Sequence, residues 1–527
     1  MNLLDSYQIY FRDIHPILRD MSARGIPIDA GKREELRTLL ERESLRVDAE
    51  IRLLVPAEVL STKQKHGLKR TPKDTTGMVQ IEVVIEKEEK CSCLKAARPT
   101  CAVCAGSGMI PAGSVVTRWA LPVEFNPNSQ KQVLKFMRFH RHPVPKHSKR
   151  QDAQGEAAET TEVKELERLF QTTKHPIYPL LIQRRQLTKV EGTYVDGYKP
   201  HADGKIHTTY GFGTATWQLT SKAPNVQNSP ARGKTEFQEA LVEAFNRTLV
   251  SSPGHTLVNF DYKSFHAQTT ACEAGLPEYL RLARIDLHSF TTCHFIKHPE
   301  RHNLLRMSDG DLKAFFKELK GESRVWTNGL TFLKIRNGKT KSAGLGIGFG
   351  MRGKKMYQLY KEDFESQREA EGLWDLIMRE LFPGLLKWQD EVKQRAHEDK
   401  RLVSRFGAIR HFFDVIRWDR KQQKMVGGEQ GEAAIAFLPA SNAFGMIRDG
   451  MLRLDAAGYL ERYRIINTTH DSLKFDCPDE LVEECRANVP PIMETPCPLM
   501  VYPGVTGLEG LSVEVEHQVG KNNFDLH

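Results

Sequence analysis

Leu257-Val258-Asn259-Phe260-Asp261-Tyr262 and Ile465-Ile466-Asn467-Thr468-Thr469-His470-Asp471-Ser472-Leu473 are two short apolar runs, each closing on an aspartate. Runs of this length, rich in β-branched and aromatic residues, read as strands. The second can turn into a hairpin, and two such strands in one sheet could bring Asp261 and Asp471 together. A strand-end aspartate is ordinarily a turn former or a cap, so neither residue says much alone. As a pair they fit phosphoryl transfer, which uses two hard cations about 3.5–4 Å apart held by carboxylate oxygens.

Between the two strands lies Lys341-Ser-Ala-Gly-Leu345-Gly-Ile-Gly-Phe349-Gly350. A spacing of four places Lys341, Leu345 and Phe349 on one helical face, a cation, an apolar side chain and an aromatic ring in a row. Such a face can meet the phosphate, sugar and base of a nucleotide. Its glycines each cost a helix about 1 kcal/mol, and a Gly-rich helix that merely packs closely is the plainer alternative.

Outward from this centre the chain changes character several times. Tyr10 to Leu53 reads as two helices broken at Gly25-Ile26-Pro27-Ile28-Asp29. Pro56 to Pro122 reads as an insert in which strands Met78–Val84 and Ser114–Trp119 flank a cysteine cluster. Lys146 to Thr161, KHSKRQDAQGEAAETT, lacks apolar periodicity and reads as an exposed basic loop. Asp311 to Lys400 reads as mainly helical. The 527 residues suffice for several subdomains around a large cleft, and a net charge of +9 suits a polyanionic partner without proving one. No apolar run reaches the roughly 18 residues that a membrane helix needs, so the expectation is a cytoplasmic protein, in a host cytoplasm if viral.

At this point the residues resemble the family A, DNA polymerase I type, DNA polymerases. Asp261-Tyr262-Lys-Ser-Phe-His266-Ala-Gln268 is similar to motif A (D-Y-S-Q-I-E-L-R), Lys341 to Gly350 to motif B, and Thr469-His470-Asp471-Ser472 to motif C (V-H-D-E). Thr214-Ala-Thr-Trp-Gln218-Leu-Thr-Ser-Lys-Ala-Pro224-Asn225-Val-Gln227-Asn228 is similar to the segment that runs along the primer-template. Gln186-Leu-Thr-Lys189, Phe125-Asn-Pro-Asn-Ser129 and Asp286-Leu-His288 also match, in collinear order, and the resemblance covers residues 8–53 and 123–527.

The resemblance implies an α+β right-hand fold: a palm with an antiparallel sheet, helical fingers and thumb, and a small zinc-knuckle insert. Residues 1–205 would form the thumb and the helices leading into the palm, with the insert at 56–122 and a basic-tipped thumb at 123–190; 206–280 would be palm, 281–404 fingers and 405–527 palm again. It implies a primer-extending DNA-dependent DNA polymerase using dNTPs and two Mg2+ ions, held by Asp261, Asp471 and the Tyr262 carbonyl. Lys341, His288 and Arg336 would meet the triphosphate, and Leu345, Phe349 and His266 the sugar and base. Gln218, Asn225, Gln227, His470 and Lys189 would contact primer-template DNA, as would Lys146, Lys149 and Arg150. The family's 3′–5′ exonuclease domain precedes the first matched helix, so proofreading is expected from a separate chain, as in a phage-like system with further replication partners.

Several positions depart from the family. His266 replaces the motif A Glu that screens the ribose 2′-hydroxyl, Asn337 replaces the Arg before Lys341, Gln218 replaces an Arg, Ser472 the second acid of motif C, and Leu345 a common aromatic. These changes leave sugar selection and fidelity open. The rival enzyme reading is a single-subunit RNA polymerase, whose motif C often reads H-D-S; the rival of another class is a non-catalytic DNA-binding scaffold.

Four of the nine cysteines, Cys91, Cys93, Cys101 and Cys104, fall within one short stretch. Four thiolates make a closed tetrahedral structural zinc site, and Cys101-Ala-Val-Cys104-Ala-Gly-Ser-Gly108 resembles a zinc knuckle. The single residue between Cys91 and Cys93 is shorter than usual, and a redox or unliganded cluster is the alternative.

Overall fold

The computed structural model describes residues 4, 8–59, 79–91, 93, 100–120, 125–151, 156–230, 233, 235–327, 329–420 and 423–526. The chain forms two compact units, residues 31–198 and residues 1–30 with 199–527.

In the 31–198 unit, helix α1 (Ala30–Leu54) buries Leu36, Leu40, Val47 and Ile51 along one stripe. The insert follows as nested antiparallel pairs: β1 (Val79–Val84) with β4 (Val115–Ala120), and β2 (Glu89–Lys90) with β3 (Met109–Ile110). Val83, Ile85, Ile110 and Val116 form its small core. Both expected strands are present: the first ends at Val84 as expected, with Met78 outside the described residues, and the second is displaced by one residue. Ser129 caps α2 (Gln130–Phe139), its side chain accepting from the Gln132 N–H.

The stretch from Lys146 corrects a sequence expectation. Instead of a loop it forms β5 (Lys146–Gln151) paired antiparallel with β6 (Ala157–Glu159). The ladder pairs backbone groups of a polar stretch, so side-chain periodicity gave no sign of it. The side chains of Lys149 and Arg150 lie outside the described residues. Helices α3 (Val163–Thr173) and α4 (Ile177–Lys189) pack together on Leu166, Leu169, Leu181 and Leu187.

The larger unit centres on a four-stranded antiparallel sheet. It contains β9 (His255–Tyr262), β12 (Ile465–Thr469), β13 (Ser472–Pro478) and β14 (Val515–Gly520), in the order β12-β13-β9-β14. Two smaller hairpins precede and follow β9 in sequence: β7 (Thr209–Phe212) with β8 (Leu219–Lys222), and β10 (Ile416–Asp419) with β11 (Lys424–Gly427). Leu257, Val258, Phe260, Leu473 and Phe475 are buried, and the near-continuous burial of β9 marks a strand covered on both faces.

Helices α5 (Phe265–Glu273), α6 (Pro277–Ile285), α7 (Leu287–Phe295) and α8 (Asp309–Gly321) follow β9. Further on, α9 (Phe332–Ile335) passes through a π-helical turn, Arg336–Lys341, into α10 (Ser342–Gly348). Helices α11 (Pro383–Asp399) and α12 (Gly431–Ala456) pack on each other, and α12 also packs on α5. The expected helical stretch 311–400 is therefore mainly helical, interrupted by a short hairpin at Val325–Thr327 and Leu330–Thr331. No helix among the described residues is long and apolar enough to cross a membrane.

Candidate active site

Backbone pairing fixes the two aspartates. Asp261 lies opposite Ser472 in the β9–β13 register, and Thr469 pairs with Ser472, so β12 and β13 are joined by His470-Asp471 alone. A two-residue connection favours positive φ at its centre, and His470 supplies it at 54°. The Tyr262 N–H donates to the Asp471 carbonyl at 3.3 Å. The carboxyl groups of Asp261 and Asp471 are consequently close enough to raise each other's cost of ionisation.

Burial first, then the Asp471 charge, pushes Asp261 up to about 7. Asp471 is also raised, chiefly by burial. Asp261 retains exposed surface because it sits on a cleft floor, open to water on one side and surrounded by protein on the others. Glu516 on β14, paired with Asp261 in register, lines the same cleft. Lys263 reaches Glu516 at 3.5 Å and Glu514 at 3.3 Å. Like-charged carboxyls held this closely call for a cation, and two carboxylates with a nearby third are a hard-oxygen donor set suited to Mg2+.

The cleft measures about 620 Å³, and its lining also includes the basic side chains of His288, Lys320, Arg336 and Lys341. Asp286 organises this basic lining. Its side chain is 7% exposed and caps α7 by accepting from the Ser289 N–H at 3.0 Å. Arg336 donates to it at 2.8 Å and Lys320 at 3.2 Å. Although burial opposes ionisation, the Arg336 hydrogen bonds and charge hold the Asp286 carboxyl at about 2. Burial, then Arg336 and Lys341, push His288 down to about 4, so its imidazole is neutral at pH 7. A methyl group on Gly344 would come within 2.8 Å of the His288 ring, which explains a glycine inside α10.

Part of the lining is apolar. Leu345 lines the cleft with half its surface exposed. His266, driven to about 4 by burial and then by His470, is a neutral ring meeting Phe349 edge-on at 5.6 Å.

Gln218, Asn225, Gln227 and His470 line a second depression of about 150 Å³ in the same unit. Gln227 is buried there, donating to the Thr468 carbonyl at 2.9 Å, so it ties its segment to β12. Asn225 accepts from the Gln227 N–H and the Ser221 hydroxyl, each at 3.1 Å. Lys146 and Lys189 belong to the 31–198 unit, where Lys146 pairs with Glu156 at 3.3 Å. Lys320, Lys263 and Glu516 were not anticipated from sequence. They reach the cleft through ion pairs and strand pairing distant in sequence.

In the insert, the Sγ atoms of Cys91, Cys93, Cys101 and Cys104 all lie within 4.8 Å of one another. Cys91–Cys101 and Cys93–Cys104 are each 3.7 Å apart, close to the edge of about 3.8 Å that follows from a tetrahedron with Zn–S near 2.3 Å. Backbone N–H groups of Cys104 and Val103 lower the Cys101 thiol to about 7. Positive φ at Ala105, Gly106 and Gly108 shapes the turn after Cys104.

A family model described as DNA polymerase family A matches residues 115–304. DNA polymerase I of Rhizobium leguminosarum is 24% identical over 60% of this chain and 28% of its own length. The thermostable DNA polymerase I of Thermus filiformis is 25% identical over 66% of this chain and 36% of its own, and DNA polymerase I of Caldicellulosiruptor bescii 25% over 74% and 41%. The chain thus spans about a third of the length of the curated relatives it matches. The solved POL domain of Pol1 from M. smegmatis, in complex with DNA primer-template and dNTP, matches with a TM-score of 0.66 and 19% identity. That match covers 98% of this chain and 70% of the other, and the fold is the expected right hand.

Proposed function

We propose that this chain is the polymerase portion of a DNA polymerase family A enzyme, as its family-model match and its relatives support, and that it extends a primer 3′-hydroxyl with dNTPs on a DNA template. The observation that carries this reading is the register-fixed pair Asp261 and Asp471 lining one cleft with Lys320, Arg336 and Lys341.

Asp261, Asp471 and the Tyr262 carbonyl would hold two Mg2+ ions, with Glu516 near enough to add negative field. Bound Mg2+ would activate the attacking hydroxyl and neutralise the triphosphate. Lys341, Lys320 and Arg336 receive the phosphate oxygens, Arg336 and Lys320 being aimed by Asp286. Neutral His288 offers a hydrogen bond there rather than a charge. Arg336 and Lys320 thereby compensate for Asn337. Leu345, Phe349 and His266 bound the sugar and base, with His266 filling the space that screens a 2′-hydroxyl. Gln218, Asn225, Gln227 and His470 flank the primer-template, and Lys146, Lys149, Arg150 and Lys189 serve the duplex from the thumb.

The division into palm (206–280, 405–527), fingers (281–404) and thumb is part of this reading, supported by a central sheet drawn from both palm segments. Cys91, Cys93, Cys101 and Cys104 would hold a structural Zn2+ in the insert, a reading supported by their spacing.

The triplet His470-Asp471-Ser472 favours one second reading, RNA synthesis. Primer extension on a DNA template, with dNTPs and rNTPs in separate arms and a primer-free arm, tests both. Extension with dNTPs only is expected. Primer-free incorporation of rNTPs would reverse the assignment, and no incorporation in any arm would favour a scaffold.

A further inference from the structure

The hairpin β10–β11 carries an apolar surface that nothing in the active site uses. Trp418 and Met425 are direct cross-strand partners, so they share one face, and each is about half exposed. Just before the hairpin, Phe413 is 77% exposed, its ring parallel to His411 with centroids 6.5 Å apart. Residues 410–424 contain five Lys or Arg against two Asp. Arg417, Arg420 and Lys424 are exposed, and Arg417 lies 3.6 Å from Asp414.

The hairpin is also anchored to the base-facing end of the motif B run. Phe413 and Asp414 donate their N–H groups to the Gln430 side chain at 2.6 and 2.9 Å, and Gln430 directly precedes α12. The first turns of α12 lie against Gly350, since a methyl there would come within 2.6 Å of Ile435 and 3.6 Å of the Glu432 Cα. Gly350 has φ 91° and directly follows Phe349.

We propose that Trp418, Met425 and Phe413 form a stacking platform for single-stranded template DNA ahead of the incoming base pair. The inference rests on the polymerase reading and adds a subsite to it. Exposed aromatic faces interleaved with cations are the chemistry of sequence-tolerant single-strand binding, bases stacking on rings while Lys and Arg track phosphates. A protein partner would need the apolar faces but gains little from so many cations.

The test uses the full chain and two labelled substrates with the same duplex, one carrying a ten-nucleotide 5′ template overhang and one blunt. Trp418→Ala combined with Phe413→Ala is expected to weaken binding of the overhang substrate about tenfold, leaving the blunt duplex and single-nucleotide extension on a one-nucleotide overhang unchanged. Trp418→Phe should retain most of the affinity. Arg417→Gln with Lys424→Gln should flatten the salt dependence on the overhang substrate alone. Equal affinity of the aromatic double variant and wild type for the overhang, or equal losses on both substrates, would overturn the platform. Failure of the wild type to extend any primer would instead overturn the polymerase reading.

Discussion

Asp286 touches no reacting atom in this account, yet the basic lining of the cleft depends on it. Its carboxyl sits at about 2 in the folded chain, below the unfolded value of about 3.9. The resulting stabilisation, about 2.6 kcal/mol by linkage, is complete above about pH 5 and is lost progressively as pH falls through 2. Asp286→Asn should therefore lower stability at pH 7 by roughly that amount in urea titrations, with a difference from wild type that shrinks below about pH 5. Lys320 is the partner whose loss should be felt by substrate. Lys320→Ala is expected to raise the KM for dNTP about tenfold with kcat nearly unchanged, and Lys320→Arg to restore it, as for a phosphate contact made alike in ground and transition states. Whereas His288 came from the family resemblance alone, Asp261, Asp471 and Lys341 were legible from local motifs because each sits at a strand end or on a short helical spacing. Lys320 and Glu516 were not, since their places depend on an ion pair to Asp286 and on the pairing of β14 with β9, neither of which leaves a trace in nearby sequence.

Among the elements, α10 shows why a sequence unfavourable to helix persists. Gly344 is where the helix approaches His288, and Gly350 turns the chain at φ 91°. Gly344→Ala must displace the half-buried His288 imidazole and should cost about 1–3 kcal/mol in thermal or denaturant unfolding. Gly321→Ala, where an added methyl meets nothing within 4 Å, is the neutral control. The strands bearing the aspartates could be read from apolar runs bounded by acids. The β5–β6 ladder could not, because its pairing is carried by backbone groups beneath polar side chains. The π-helical turn at Arg336–Lys341 was hidden for a related reason: one extra residue in a turn alters hydrogen bonding without altering composition.

At the scale of the molecule, the resemblance led to the hand because its motifs fall in order along the chain, whereas composition and charge alone permitted many cleft proteins. The insert extends the account to a second metal. Purified chain should carry one zinc per molecule by elemental analysis, and Cys101→Ser should lose it and become more sensitive to proteolysis within residues 79–120, because closing a four-thiolate site stabilises so small a core. The central claim rests on Asp261 and Asp471 acting as one unit. Its most direct test is the Mg2+-dependent rate of single-nucleotide addition to a primed DNA template for wild type, Asp261→Asn and Asp471→Asn, with DNA affinity measured in parallel. A loss of about a thousandfold or more is expected in each variant, since bound metal contributes several kcal/mol to such steps, with primer-template affinity retained. Extension at the wild-type rate by Asp471→Asn would contradict it.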